Sequence, residues 1–114
     1  MKAQVILVNL GSNDYSTYPH PSNQEFTDGL IQFATQIKID YPFASLALLC
    51  PYGLTDLQCK NVEDAANATN SIYYRLNPDA VTTYGCDMHP SYESHQAWAD
   101  LITPLVLRMF SLVE

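Results

Sequence analysis

Asp87 and His89 stand two places apart in the polar stretch Gly85-Cys86-Asp87-Met88-His89-Pro90-Ser91. The next residues, Tyr92-Glu93-Ser94-His95-Gln96-Ala97-Trp98, read as the opening of a helix. An imidazole beside a carboxylate, just ahead of a helix, suits general-base work. Its free pKa of ~6.5 lets it take up and return protons near neutrality. A second polar cluster, Gly11-Ser12-Asn13-Asp14, follows an apolar run near the start of the chain. These residue types form turns, and asparagine occurs in turns for purely local reasons. His95 falls inside the helix and reads as a packing or surface residue.

The elements that must position these residues follow from hydrophobic spacing. Residues 4–10 form a continuous apolar run, the pattern of a strand buried on both faces. Residues 15–21 are a polar and aromatic loop with two prolines. Ser22 and Glu25 are spaced as a capping box. After it, Phe26, Leu30, Phe33, Ala34, Ile37 and Tyr41 make one helical stripe, which Pro42 should end.

Residues 44–50 predict a second buried strand, broken by Pro51-Tyr52-Gly53. Residues 56–76 predict a helix with Leu57, Val62, Ala65, Ala66, Ile72 and Tyr73 inside, ending at Asn77-Pro78. Residues 79–84 predict a short third strand. The last helix starts near Ser91 and carries Trp98, Leu101, Ile102, Leu105, Val106, Met109, Phe110 and Val113. Pro104 should kink or break it. This β-α-β-α-β-α order implies an α/β fold: a parallel sheet with right-handed crossovers and helices on both faces. In such sheets functional loops lie beyond the carboxyl ends of the strands. The clusters at 11–14 and 85–89 should therefore share one edge.

Composition narrows the partners. A chain of 114 residues holds at most one domain. A net charge of -7, with five scattered Lys and Arg, lacks the basic face that nucleic acid requires. No apolar run approaches the ~20 residues of a membrane span. The first nine residues read as a strand entered directly rather than as a signal peptide, as though the chain began inside a fold. Cys50, Cys59 and Cys86 match no zinc spacing, and no Gly-rich phosphate loop is present, so neither metal nor other cofactor is expected. One disulfide with one free thiol suits a secreted protein, and spacing does not choose the pair. The sequon Asn67-Ala68-Thr69 fits that compartment.

Both motifs, in this order on a β-α alternation, resemble the SGNH (GDSL-type) hydrolases. The longer strings Val8-Asn9-Leu10-Gly11-Ser12-Asn13-Asp14-Tyr15-Ser16 and residues 85–91, with His95, are similar to the family-two carbohydrate esterases. These enzymes remove acetyl groups from polysaccharides such as xylan. The resemblance covers nearly all of the chain but only the second half of the family's catalytic domain. It implies a three-layer flavodoxin-like fold without its N-terminal strands, with residues 1–114 as the C-terminal part of a single esterase domain.

The resemblance also assigns roles. Asn13 would be an oxyanion donor and His89 the base for a serine nucleophile, with Gly11 and Asp14 supporting the oxyanion loop. Asp87 is the candidate orienting acid. The broader family pattern, however, places the acid three residues before the histidine, at Cys86 here, and a backbone carbonyl can serve instead. Tyr15, Tyr18, Tyr52 and Tyr84 lie on predicted loops where rings could stack on sugars, and Tyr15, Tyr52 and Tyr84 are the candidates retained.

No counterpart of the family's Gly-Asp-Ser nucleophile motif occurs in this sequence, and Ser12, Ser16 and Ser91 lack that context. The chain alone should be nearly inactive. The implied partners are an acetylated polysaccharide or oligosaccharide and an N-terminal segment or second chain bringing the serine. The implied setting is extracellular. The alternative is a non-catalytic flavodoxin-like piece that binds carbohydrate or a partner chain.

Overall fold

A computed structural model describes residues 3–112. Met1 and Lys2, and the expected stripe position Val113, lie outside them. The elements run β1 (Val5–Val8), α1 (Ser12–Ser16), α2 (Asn23–Asp40), β2 (Ser45–Cys50), α3 (Asp56–Ala68), β3 (Ile72–Arg75) and α4 (Tyr92–Ser111). The strands pair in the order β1-β2-β3, all parallel, with Val5 opposite Ser45 and Ala47 opposite Ile72.

The middle strand divides the core. Leu46, Leu48 and Cys50 face one side, where they pack with Phe26, Leu30 and Ala34 of α2 and with Cys59, Val62, Ala65 and Ala66 of α3. Ala47 and Leu49 face the other side and meet Leu105 and Met109 of α4. This period of two along β2, set against helical stripes on both sides, gives the expected three layers.

Helix α2 begins as expected. The Ser22 hydroxyl accepts from the Glu25 N–H, and the Glu25 carboxylate accepts from the Ser22 N–H at 2.8 Å. It ends at Asp40, with Tyr41 as its C-cap before Pro42. A second capping box, Thr55 with Gln58, opens α3.

Several expectations need correction. Helix α3 stops at Ala68, eight positions short of the predicted end at 76, and Asn70 takes a left-handed φ of 52° just beyond it. Ile72 and Tyr73 therefore belong to β3 and not to a helix face, and Leu57 is exposed. No strand occupies 79–84; Pro78–Ala80 is a 3-10 turn instead. The cluster at 11–14 is not a simple turn but the start of α1.

Helix α4 runs without a break through Pro104, held on either side of it by buried Trp98, Leu105 and Met109. Phe33, Tyr41, Leu101 and Phe110, expected inside, are exposed. Strand β1 is not buried on both faces. Among the described residues it pairs only with β2, and Leu7 is exposed.

Cys50 at the end of β2 and Cys59 in α3 form a disulfide with a Cα separation of 5.3 Å. Cys86 is the free, exposed cysteine. Among the described residues no helix is long and apolar enough to cross a membrane.

Candidate active site

At the carboxyl end of β1 the chain must turn at once into α1, and Gly11 makes that turn. Its φ of 131° is poorly accessible to residues with a side chain, and a Cβ there would lie 3.0 Å from the Phe26 ring. The Ser12 hydroxyl donates to the Tyr52 carbonyl at 2.9 Å, tying α1 to the loop after β2. Asn13 and Asp14 are thereby held, both exposed, on the wall of a cleft of about 730 Å³. Pro51 and Tyr52 follow β2 on this wall, and Leu76 follows β3.

The same cleft is lined by Asp87, Met88, His89 and Pro90, with His95 and Trp98 of α4. No strand leads into this loop. The chain passes instead from β3 through residues 77–84, anchored where the Trp98 Nε1–H donates to the Asn77 carbonyl at 2.8 Å. The loop is a small hairpin. Tyr84 and Pro90 bridge antiparallel, the Gly85 N–H donates to the His89 carbonyl at 2.7 Å, and the His89 N–H donates to the Cys86 carbonyl at 3.0 Å. At its tip Asp87 and Met88 take left-handed φ values of 53° and 60°.

His89 Nδ1 lies 3.1 Å from the Cys86 carbonyl oxygen. A carbonyl only accepts, so Nδ1 is the donor in this contact. The ring's partner is this carbonyl and not the Asp87 carboxylate, although Asp87 lines the same cleft.

The tyrosines separate. Tyr52 lines the cleft, its ring 5.7 Å from Trp98. Its hydroxyl meets that of Tyr84 at 3.5 Å, and this hydrogen bond holds the Tyr52 pKa above the ordinary tyrosine value. Tyr84 is therefore beside the cleft, on its rim. Tyr15 is not on the cleft wall; it packs 5.0 Å from Phe26 and accepts from Asn61 Nδ2 at 3.2 Å. Its burial raises its pKa. Tyr18 stacks on His20, apart from the cleft.

Sequence reasoning placed Trp98 only on a core stripe and His95 only as packing or surface. Their rings meet edge to face at 5.4 Å on the cleft. The signal was the spacing of three residues, which puts both on one helix face. Among the described residues no group of three His, Cys, Asp or Glu side chains could hold a metal ion.

No family model matches the chain. A cellulase/esterase, CelE, of Acetivibrio thermocellus is 31% identical over 112 positions, taking in 88% of this chain and 14% of the relative. Among solved structures, a family-two carbohydrate esterase of Clostridium thermocellum, an active-site mutant in complex with a cello-oligosaccharide, aligns with a TM-score of 0.84 at 26% identity over 98% of the chain. A carbohydrate esterase family 2 enzyme with a carbohydrate-binding domain, from Corynascus thermopiles, aligns with a TM-score of 0.84 at 21% identity over 96% of it.

The chain has the fold of the family-two carbohydrate esterases. It spans 37% and 38% of the lengths of those two solved chains, so the shared fold is a part of theirs. That is the family to which the Gly11–Asp14 and Asp87–His89 motifs pointed, and a partial match fits the expected C-terminal portion. Among the described residues no strand precedes β1.

Proposed function

We propose that this chain supplies the histidine base and one oxyanion donor of a carbohydrate esterase that hydrolyses O-acetyl esters of a polysaccharide such as xylan. The observation that carries the reading is the single cleft that brings Asn13 and His89 together, with the His89 ring held through Nδ1 by the Cys86 carbonyl.

In the reaction a serine hydroxyl attacks the acetyl carbonyl as His89 Nε2 takes its proton. The tetrahedral oxyanion accepts from the Asn13 amide, a kind of donation worth roughly 3 kcal/mol in a transition state. The imidazolium returns the proton to the sugar oxygen as the C–O bond breaks, leaving an acetyl-serine. Water, deprotonated by the same Nε2, then releases acetate and restores the serine. The Cys86 carbonyl holds the ring through both halves. Asp87 contributes negative potential to the cleft and no direct contact with the ring.

The serine comes from a segment N-terminal to β1 or from a second chain, residues 1–114 forming the C-terminal part of one esterase domain. Tyr52 offers a ring to the sugar, with Tyr84 at the rim. The Cys50–Cys59 disulfide and the acidic surface suit an extracellular setting.

The test is acetate release from acetylated xylan or an aryl acetate by a domain completed with the upstream strands. Release that disappears in His89→Ala supports the assignment. A complete, folded domain with Asn13 and His89 intact that releases none would overturn it. The open edge of β1 favours a second reading, in which this chain is an inactive piece that binds sugar or a partner. Cello-oligosaccharide binding without acetate release would select that reading.

A further inference from the structure

We propose that the hydroxyls of Thr83, Ser91 and Ser94 form a clamp at the base of the His89 hairpin, and that this clamp sets the position of the imidazole. The inference rests on the reading of His89 as base. Ser94 is the most buried polar side chain of the described residues, 1% exposed, and it lies one helical turn into α4. Its hydroxyl donates to the Thr83 carbonyl at 2.9 Å and accepts from the Thr83 N–H at 3.4 Å and from the Ser91 hydroxyl at 3.3 Å. One donor and both lone pairs are used. Ser91, 9% exposed, meets the Thr83 hydroxyl, and its N–H donates to the Thr83 carbonyl at 3.0 Å.

Capping α4 accounts for only part of this. The Ser91 hydroxyl accepts from the Ser94 N–H as an ordinary N-cap. The side chains of Thr83 and Ser94 add nothing to the helix end. They join its first turn to the strand-like segment that leads into the hairpin. That hairpin has one ladder bridge and two adjacent left-handed residues at its tip, too little structure to persist alone. Its register, and with it the 3.1 Å contact of His89 Nδ1 with Cys86, depends on what grips the base. Thr83, Ser91 and Ser94 are positioning residues: they act on the substrate only through the imidazole.

The experiment uses the chain itself. Amide exchange is measured at Gly85 and His89, with Leu48 of β2 as the internal reference, and the His89 ring nitrogens are followed by NMR. The variants are Ser94→Ala, Thr83→Val and Thr83→Ser. Removing a net hydrogen bond or two predicts about tenfold faster exchange at Gly85 and His89 in Ser94→Ala and Thr83→Val, with Leu48 unchanged. The ring signals should move from one tautomer toward an averaged position. Thr83→Ser, which keeps the hydroxyl, should behave as the parent.

Unchanged exchange and an unchanged ring tautomer in folded Ser94→Ala and Thr83→Val would overturn the clamp. Should Ser94→Ala also lose protection at Leu48, Thr83→Val decides, because Thr83 is exposed and valine keeps its shape. A complete domain that still released acetate as His89→Ala would remove the base assignment and leave the clamp standing.

Discussion

The Ser12 hydroxyl donates to the carbonyl of Tyr52, 40 positions away in the chain, at 2.9 Å. This bond joins the first polar motif to the loop after the central strand, and so ties α1, which carries Asn13, to that loop. Ser12→Ala should lower stability by roughly 1 kcal/mol, the net worth of one such bond. Denaturant midpoints check this. In the completed domain the same change should slow acetate release while the His89 ring signals stay in place.

Asn13→Ala addresses the oxyanion role directly. Asn13 is exposed and lies outside the packed core, so stability should change by less than ~0.5 kcal/mol. Turnover by the completed domain should fall by about 10²–10³, the loss seen when one oxyanion donor is removed. Equal loss in kcat and kcat/KM would show that the contact is made in the transition state.

Asp87→Asn distinguishes the two candidates for orienting the imidazole. Because the Cys86 carbonyl holds Nδ1, turnover should stay within about tenfold, against the ~10⁴ loss on replacing a triad aspartate. A loss near 10⁴ would make the carboxylate the orienting group after all.

The disulfide closes a short loop between β2 and α3, with both cysteines buried. Replacing Cys50 and Cys59 together by alanine should lower unfolding free energy by about 2–3 kcal/mol. Titrating the oxidised chain with a thiol reagent should find Cys86 alone.

Glu25 gives a pH dependence. Hydrogen bonds from the Ser22 backbone and side chain hold its pKa below the ordinary glutamate value. A folded pKa below the unfolded one adds stability that is complete above the unfolded pKa. That stability is lost as pH falls through the folded pKa. Glu25→Gln should therefore flatten the acid limb of the stability curve by lowering stability at neutral pH, and leave it nearly unchanged below the folded pKa. Ser22→Ala, which removes the cap itself, should cost about 1 kcal/mol at neutral pH.

Much of the scaffold was legible because it rests on local signals. The Ser22–Glu25 box and Pro42 bracket α2, and the apolar run before Pro51 marks β2. The third strand was misplaced because the helical period of α3 carries on by chance into Ile72 and Tyr73. The stop lay in Asn70, whose left-handed conformation is common for asparagine at a helix end, and in the β-prone string Ile72-Tyr73-Tyr74. That Asn13 and His89 would line one cleft was legible from their motifs. The role of the Cys86 carbonyl was open, since no side-chain pattern announces a backbone acceptor. Tyr15 read as a loop ring because its contacts with Phe26 and Asn61 come from distant parts of the chain.

Asp87 and Met88, the two left-handed residues at the hairpin tip, have a consequence for how the loop can vary. Moving the tip by one residue would hand that backbone conformation to Cys86 or His89. Side-chain-bearing residues take it up only at a penalty, aspartate and asparagine excepted. The loop is thus indexed: it has one permitted phase, and neighbouring phases are separated from it by backbone handedness. Met88 carries that penalty here, so asparagine or glycine at 88 should hold the same phase at lower cost, and a β-branched residue should loosen it.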